Sequence, residues 1–338
     1  MTDPLDVLDS SERTLLRPLQ HVGWQQPMLA TLTDQPFSDP KWIYERKLDG
    51  VRAVVLRREG RTRLFSRTQK SMDGSYPELV EALDEQAPDG VVLDGEIVAF
   101  EGQQTSFARL QARIGLTDPR RARDSGVPVY LYLFDVLAAG GYDLTRLPLH
   151  ARKRVLQAAV DFTDPVRFSA HRNADGEQYL REACAQGWEG LIAKRADSRY
   201  RHGRSRDWLK FKCVRAQEFV VGGFTDPSGS RVGLGALLVG YYQGDRLRYA
   251  GKVGTGFDEK TLRSLHRRLS ELAQDSSPFA DPVRERGAHW VRPELVAQIG
   301  FAEWTGDGKL RHPRFQGLRE DKVPRDVVRE EQRPTGAT

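Results

Sequence analysis

Two long apolar runs constrain the fold of this chain more than any other feature. Val91–Phe100 and Val129–Leu137 are almost continuously apolar, which predicts central strands buried on both faces of a sheet. Acidic residues interrupt both runs, with Asp94 and Glu96 in the first and Asp135 in the second. A carboxylate inside an apolar strand is costly unless it is paired or binds a metal. A β-bulge that exposes both acids explains the first run equally well.

The chain is long enough for two domains, because 338 residues exceed what one hydrophobic core usually holds. Beyond residue 215 the composition changes to short strands with glycine-rich turns and one helix, residues 258–272, with leucines at helical spacing. This pattern predicts a small five-stranded barrel of the OB type. We therefore expect an N-terminal arm (1–25), a larger domain (26–215), an OB-fold domain (216–323) and a disordered tail (324–338).

Composition excludes several classes of protein. No apolar run reaches the roughly 18 residues of a membrane-spanning helix, and the acidic N-terminus does not match a signal peptide. Cys184 and Cys213 are the only cysteines, which excludes a four-cysteine zinc site and a disulfide framework and is typical of a reducing cytosol. The net charge of +5 is compatible with a polyanionic partner but does not demonstrate one.

The segment Glu45–Arg52 predicts a strand, a tight turn at Asp49-Gly50 and a second strand. A lysine just before such a turn, Lys47, projects from a fixed backbone, and Asp49 lies on the same side if the segment is extended. The two side chains could pair, or the amine could attack phosphorus while the carboxylate helps to hold a metal. An ordinary surface hairpin also fits this segment alone.

A second basic pattern occurs at Lys210 and Lys212, which alternate with apolar Leu209 and Phe211. In a strand both amines face one way, where they repel each other unless an anion lies between them. The alternative is an edge strand whose lysines prevent aggregation. Taken alone, this pattern leaves both interpretations open.

Two further residues have an ordinary explanation when each is taken alone. Arg67 ends a short strand, where it could meet a phosphate or simply be solvated. Phe134 lies within the second apolar run, and such aromatic residues more often pack in a core than stack on a base.

Together, six segments occur in an order that resembles the covalent nucleotidyltransferase superfamily of ATP-dependent DNA ligases and mRNA capping enzymes. The resemblance covers about residues 26 to 323. The segments are Lys47-Leu48-Asp49-Gly50, Ser66-Arg67, Asp94-Gly95-Glu96, Leu133-Phe134-Asp135, Glu189-Gly190-Leu191-Ile192-Ala193-Lys194 and Lys210-Phe211-Lys212.

Within that superfamily, Leu310-Arg311-His312-Pro313 and Gly317-Leu318-Arg319-Glu320-Asp321-Lys322 look like bacterial DNA ligases of the end-joining type. The fold this implies is α+β: a nucleotidyltransferase (adenylation) domain with central antiparallel sheets, followed by an OB-fold β-barrel. Arg46 is a departure, since many relatives carry proline there. We expect it to be tolerated because it precedes the reactive residue and points away in a strand.

The resemblance implies that Lys47 attacks the α-phosphate of ATP and forms a lysine–AMP phosphoramide. The AMP then passes to the 5′-phosphate of a DNA nick, and the 3′-hydroxyl displaces it. The implied partner is double-stranded DNA with nicks or broken ends, with a Ku-like end-binding protein as a candidate partner. The implied protein is a monomer in the bacterial cytoplasm, associated with the nucleoid.

The resemblance also implies roles for the remaining residues. Phe134 would stack on adenine, and Lys210 and Lys212 would neutralise the α-phosphate. Mg²⁺ or Mn²⁺ would be bound by Asp49, Glu96 and Glu189, and Glu96 would also contact the nucleotide. The base, ribose or phosphate would be contacted by Glu45, Arg52, Arg67 and Arg204. The pyrophosphate of ATP would be oriented by Arg319, Asp321 and Lys322.

Two other functions remain open from the sequence. One is an RNA-directed enzyme, either an RNA ligase or a capping guanylyltransferase, and labelling by GTP would indicate capping. The other, from a different class, is a catalytically inactive OB-type DNA-binding protein. An NAD-dependent ligase is disfavoured because the cysteines of its zinc module are missing.

Overall fold

The computed structural model describes residues 3–33, 35–213, 216–227, 232–301 and 303–330. The chain forms two compact units, the first extending to Cys213 and the second following it. Across the described part of the chain, no helix combines the length and apolar character needed to cross a bilayer.

The first unit contains two sheets and several short helices. Its strands are β1 (Arg17–Pro18), β2 (Met28–Leu32), β3 (Trp42–Arg46), β4 (Val51–Arg58), β5 (Arg61–Phe65), β6 (Val91–Val98), β7 (Phe100–Glu101), β8 (Gln104–Thr105), β9 (Tyr130–Ala139), β10 (Tyr142–Asp143), β11 (Val166–Phe168), β12 (His171–Asn173), β13 (Gly190–Arg195) and β14 (Gly203–Lys212). Its helices are α1 (Ser10–Arg13), α2 (Pro77–Gln86), α3 (Phe107–Leu110), α4 (Pro119–Asp124), α5 (Leu149–Ala159) and α6 (Gly176–Ala185), with a 3₁₀ helix at Pro4–Val7.

The two apolar runs form the centre of the larger sheet, as predicted. Its order is β1-β10-β9-β6-β4-β5, with β11 added parallel to β9. Strands β6 and β9 are almost entirely buried, which explains why their sequences are nearly continuous in apolar residues. The register between them shifts at Asp94/Gly95, so a bulge is present although Asp94 remains fully buried.

The second sheet carries most of the predicted site segments. Its order is β12-β3-β13-β14-β2, and its neighbours are antiparallel apart from the parallel pair β14 and β2. Tyr44 and Phe211 on this sheet pack against Tyr179 of α6 in a separate hydrophobic cluster. The central sheets are therefore antiparallel for most neighbours, as expected, with two parallel exceptions.

The segment predicted as an N-terminal arm packs onto the first unit over its described part. Leu5 and Leu8 are buried in the same core as β6 and β9. Arg17–Pro18 pairs with Tyr142–Asp143 and adds an edge strand to the larger sheet. These residues therefore contribute to the core of the first unit.

The second unit is a curled antiparallel sheet with one long helix, and it has the predicted OB-type architecture. Its sheet order is β17-β16-β15-β19-β18, with β22 paired to β19. Its strands are β15 (Ala216–Thr225), β16 (Leu237–Gln243), β17 (Arg246–Val253), β18 (Ala273–Gln274), β19 (Ala288–Gly300), β20 (Glu303–Trp304), β21 (Leu310–Arg311) and β22 (Arg314–Leu318), and its helix is α7 (Glu259–Glu271).

Sequence periodicity located helix α7 correctly. Leu262, Leu265 and Leu269 are buried along one face of α7, as their spacing predicts. The described part of the predicted disordered tail, residues 324–330, belongs to the second compact unit. It contains a 3₁₀ helix at Pro324–Asp326, and Tyr242 donates a backbone hydrogen bond of 2.7 Å to Val327. Residues 331–338 lie outside the described residues.

The cysteines depart from the sequence prediction. Cys184 and Cys213 form a disulfide with their Cα atoms 5.3 Å apart, joining α6 to the residue after β14. The expectation of a reducing compartment without disulfides came from the count of cysteines. Their separation of 29 residues gave no local sign that the fold brings them together. The backbone N–H of Cys213 also donates to the carbonyl oxygen of Glu189 at 3.0 Å, so the bond lies beside a predicted site residue.

Candidate active site

Lys47 lies in the turn between β3 and β4, as the sequence predicts. Its backbone N–H donates to the carbonyl oxygen of Gly190 at 2.9 Å, which fixes the turn to the start of β13. Its ammonium group directly contacts the carboxylate of Glu189, and each of these side chains is 17% exposed. The fold therefore brings the predicted nucleophile and one predicted metal ligand into direct contact.

Three carboxylates control the charge of Lys47. Burial lowers the pKa of Lys47, but the negative charges of Glu189, Asp49 and Glu96 outweigh it and raise the pKa above the ordinary value for lysine. Lys47 is thus a protonated amine held by Glu189. All three acids predicted to bind a metal act on this one ammonium group.

Oxygen ligands of this kind suit Mg²⁺ or Mn²⁺. Within the described ranges, however, no three His, Cys, Asp or Glu side chains are close enough to form a ready metal site. The Glu189 carboxylate is instead occupied by Lys47. The assignment of Asp49, Glu96 and Glu189 as metal ligands accordingly stays a prediction.

Asp94, one of the two acids in the first apolar run, forms an ion pair with Arg52. Asp94 is fully buried and accepts two hydrogen bonds from Arg52, at 2.5 and 2.6 Å, and one from the Tyr200 hydroxyl at 2.5 Å. Arg52 also donates to the carbonyl oxygen of Met28 at 3.0 Å. Burial alone would lower the pKa of Arg52, but the charge of Asp94 raises it. Asp94 is therefore a structural partner for Arg52, whereas Glu96 stays half-buried.

Phe134 lies between the two sheets and is 8% exposed. The Arg52 guanidinium lies 4.7 Å from its ring centroid, and the Lys194 ammonium lies 4.2 Å away. Trp208 contacts the same ring edge-on, with centroids 6.0 Å apart. Phe134 is thus packed with cations and a second aromatic ring, and its stacking on adenine stays a prediction.

Glu45, predicted to contact the nucleotide, is buried in a charged cluster. Its carboxylate lies 2.8 Å from Lys153 and 2.9 Å from Lys194, and it accepts a hydrogen bond of 2.9 Å from Ser169. Burial would raise the pKa of Glu45, but the two lysines lower it. Burial lowers the pKa of Lys194 to about 8, because the attraction of Glu45 only partly opposes desolvation and repulsion from Lys153.

Sequence reasoning missed the partners of the buried acids. Arg152 is fully buried on α5 and makes a two-pronged pair with Asp135, at 2.7 and 2.9 Å. Lys153 and Tyr200 were missed in the same way. The sequence did carry one signal, because a buried carboxylate in β9 is costly unless a cation pairs with it. That signal predicts a cationic partner but does not identify the residue.

The other predicted nucleotide-binding residues have these positions. Lys210 and Lys212 are half-buried on β14, opposite Ile192 and Gly190 of β13. Arg67 is half-buried in the turn after β5. Arg204 is exposed and donates to the carbonyl oxygen of Ala30 at 2.8 Å.

The predicted pyrophosphate residues lie in the second unit and have partners there. Arg319 pairs with Asp321 through hydrogen bonds of 2.9 and 3.0 Å. Lys322 lies 2.9 Å from Glu218. Burial would raise the pKa of Asp321, but Arg319 lowers it. These three residues form a charged cluster within their own unit.

Comparison with known families agrees with this geometry. A family described as "ATP dependent DNA ligase domain" matches residues 27–212. A second, described as "ATP dependent DNA ligase C terminal region", matches residues 230–322.

Individual relatives point the same way. "Multifunctional non-homologous end joining protein LigD" of Pseudomonas aeruginosa is 40% identical over 322 residues, covering 93% of this chain and 37% of the relative. The protein of the same name in Mycolicibacterium smegmatis is 37% identical over 309 residues, covering 89% of this chain and 39% of the relative. The chain thus spans well under half of these relatives.

One solved structure is similar over nearly its whole length. It is described as "mycobacterial DNA ligase D complexed with ATP and MES" and is 34% identical to this chain, with a TM-score of 0.65. The match covers 90% of this chain and 97% of that structure.

Proposed function

The chain belongs to the family of ATP-dependent DNA ligases, and from this premise we propose that it seals breaks in DNA through a lysine–AMP intermediate on Lys47. The observation that carries the proposal is the direct contact between Lys47 and Glu189 at the turn between β3 and β4. An amine fixed at a turn, with a carboxylate against it, matches the nucleophile of a covalent nucleotidyl transfer.

The proposed reaction has three steps. One ammonium proton of Lys47 passes to the Glu189 carboxylate that it contacts, and the neutral amine then attacks the α-phosphorus of ATP. A P–N bond forms as the bond from that phosphorus to pyrophosphate breaks, and the second proton lost by the nitrogen leaves with pyrophosphate. A 5′-phosphate oxygen of DNA then attacks the same phosphorus, so the P–N bond breaks and AMP passes to the DNA. Finally the 3′-hydroxyl at the break loses its proton and attacks the adenylated 5′-phosphate. The new phosphodiester bond forms as the bond to AMP breaks.

In this proposal the residues around Lys47 orient the nucleotide. Lys210 and Lys212 neutralise the α-phosphate, which explains two amines side by side on one strand. Phe134 stacks on adenine. The remaining contacts to base, ribose or phosphate come from Glu45, Arg52, Arg67, Glu96 and Arg204.

The Arg52–Asp94 pair supports the orienting role of Arg52. The Arg52 guanidinium donates two hydrogen bonds to the Asp94 carboxylate, and this pairing fixes the direction of its other N–H donors. The ion pairs of Glu45 with Lys153 and Lys194 fix the position of its carboxylate, which supports its proposed contact with the nucleotide.

We assign Mg²⁺ or Mn²⁺ to Glu96 and Glu189, with support from Asp49. The assignment is supported by the oxygen-only donor set and by the fact that all three charges act on one ammonium group. A bound divalent ion would polarise phosphate oxygens and offset their negative charge. The protein side chains would then keep Lys47 and the α-phosphate in line.

The second unit is proposed to act in the first step. Arg319, Asp321 and Lys322 are already ordered as a charged cluster in that unit. Cations supplied by a domain that closes and reopens could orient the pyrophosphate and then free the site for DNA. The assigned domains for this motion are residues 26–215 and 216–323.

The substrate is proposed to be double-stranded DNA with nicks or broken ends, because the similar LigD proteins are named for non-homologous end joining. A Ku-like end-binding protein is the candidate partner, and the active species is a monomer. The place of action is the bacterial cytoplasm, at the nucleoid.

Incubation with α-labelled ATP and a divalent metal, followed by a denaturing gel and a nick-sealing assay, tests this function. The proposal expects a labelled protein band and sealing of nicked duplex DNA. Labelling by GTP in place of ATP would instead indicate a capping enzyme. Sealing of nicked RNA but not of DNA would indicate an RNA ligase, and the absence of both label and sealing would contradict the proposal.

A further inference from the structure

Arg46 immediately precedes Lys47, and its guanidinium is held by aromatic rings. The guanidinium carbon lies 4.5 Å from the ring centroid of Trp188 and 5.8 Å from that of Phe100. One amino group donates to the carbonyl oxygen of Gln103 at 3.3 Å, whereas the buried Nε has no hydrogen-bond partner. The sequence predicts only that Arg46 points away from the reactive residue. The structure adds a specific contact.

This contact is not part of a salt bridge. Among the residues that the structure describes, no carboxylate lies within ion-pair distance of Arg46. Burial lowers the pKa of Arg46, and Tyr132 and Tyr179 oppose this only in part. The guanidinium is therefore restrained by its cation–π contact with Trp188 together with its hydrogen bond to Gln103.

The Arg46–Trp188 contact runs beside the contact between Lys47 and Glu189. Trp188 directly precedes Glu189, just as Arg46 directly precedes Lys47. The backbones of the same two segments also meet, because the Lys47 N–H donates to the Gly190 carbonyl. A shift of Trp188 would consequently move Glu189 relative to Lys47.

Two glycines flank the short segment that carries Glu189. Gly187 and Gly190 have φ angles of +71° and +146°, conformations that favour glycine, so neither flanking residue offers a side chain through which neighbouring elements can hold the segment. Trp188 is the large side chain between them. Its ring packs edge-on against Tyr179 and also contacts the guanidinium of Arg46.

The β7–β8 hairpin completes the same cluster. Gln104 donates from its side-chain amide to the carbonyl oxygen of Gln186 at 3.4 Å. The Thr105 hydroxyl accepts a hydrogen bond of 3.3 Å from the backbone of Asp49. With Phe100 against Arg46, this hairpin contacts both the Lys47 turn and the Glu189 segment.

We propose that Arg46 is a positioning residue, whose stacking on Trp188 holds Glu189 in register with Lys47 for transfer of AMP to the lysine. The inference rests on the proposed function. It assigns Arg46 an effect on the rate of adenylation, not on the binding of ATP. It also gives a role to a residue that differs from the proline of many similar ligases.

The test compares single-turnover adenylation in five variants over a range of ATP concentrations. Arg46→Met keeps the apolar stem and removes the cation, and Arg46→Lys keeps a cation. Trp188→Leu removes the ring, and the double variant Arg46→Met/Trp188→Leu measures coupling. The matched control is Arg195→Met, an exposed arginine at the far end of β13 that pairs with Asp197.

The proposal predicts that Arg46→Met lowers the adenylation rate constant about tenfold, the order expected from one partly desolvated cation–π contact. The ATP concentration at half-maximal rate should stay within about twofold. Arg46→Lys should recover most of the rate, Arg195→Met should match the wild type, and the double variant should be no slower than Trp188→Leu.

Several results would overturn the proposal. Independent, multiplicative losses in the double variant would show that Arg46 and Trp188 act separately. A normal rate constant in Arg46→Met, with only a lower urea midpoint, would show a purely structural role. A wild-type chain that forms no lysine–AMP overturns the proposed function itself, whereas labelled wild type with an equally fast Arg46→Met overturns only this inference.

Discussion

Replacing Asp94 with asparagine removes the charge of a fully buried acid while keeping the shape of its side chain. Asp94 accepts hydrogen bonds from Arg52 and Tyr200, and the Arg52 side chain is only 17% exposed. Breaking a buried ion pair by removing one partner costs about 3–5 kcal/mol. Because Arg52 keeps some access to water, we expect about 3 kcal/mol. In a unit of this size that corresponds to a fall in melting temperature of roughly 6–12 °C.

Thermal and urea unfolding of matched variants measures this effect. The double variant Asp94→Asn/Arg52→Met removes both charges and should recover part of the lost stability, because no unpaired ion remains buried. The control Asp197→Asn breaks an exposed pair with Arg195 and should cost less than about 1 kcal/mol. Equal losses in Asp94→Asn and Asp197→Asn would refute the argument that burial makes the first pair essential.

Glu189→Ala should lower metal-dependent turnover about a hundredfold, far more than it weakens folding measured by urea, because a divalent metal stabilises transition-state charge; a folded fraction with full activity would contradict the assignment. Burial lowers the pKa of Lys194 to about 8 from 10.5, so the unfolded chain binds more protons between these values. The difference in urea midpoint between the wild type and Lys194→Met should therefore increase in favour of the wild type from pH 8 to pH 10. A difference that does not change with pH would contradict this prediction. Asp321→Ala should slow only the first step in single-turnover assays, whereas equal loss in all three steps would indicate folding or DNA clamping.

Local sequence patterns predicted the elements whose residues have only one suitable environment. The run that became β6 is apolar apart from Asp94 and Glu96, which is typical of a strand buried on both sides. The leucines of α7 repeat every three or four residues, which matches one helical face. The turn of Lys47 followed from the Asp49-Gly50 pair, because such pairs favour tight turns.

Pairings between distant residues could not be predicted in this way. Arg52 and Asp94 are 42 residues apart, and their contact depends on the register of β4 against β6. Register is set by the whole sheet, so no local pattern identifies which cation meets which acid. The cysteines illustrate the same limit, since Cys184 and Cys213 meet only after α6 packs beside β14.

Strand boundaries in the second unit were also set by tertiary structure. Strand β19 runs without a break from Ala288 to Gly300, although Pro293 lies within it. Its length is supported by partners on both sides, β15 along most of the strand and β22 near its end. Pairing of this kind carries a strand through residues that look like a break when read alone.

The central claim is that Lys47 carries AMP, and labelling of single lysine variants tests it most directly. Lys47→Ala is compared with Lys41→Ala after incubation with α-labelled ATP and divalent metal. Lys41 is an exposed lysine just before β3, the strand that leads to Lys47. Both variants are also given a nick that is already adenylated. We predict that Lys47→Ala loses the labelled band yet still seals the adenylated nick, while Lys41→Ala keeps both activities. A labelled band that persists in Lys47→Ala would contradict the account.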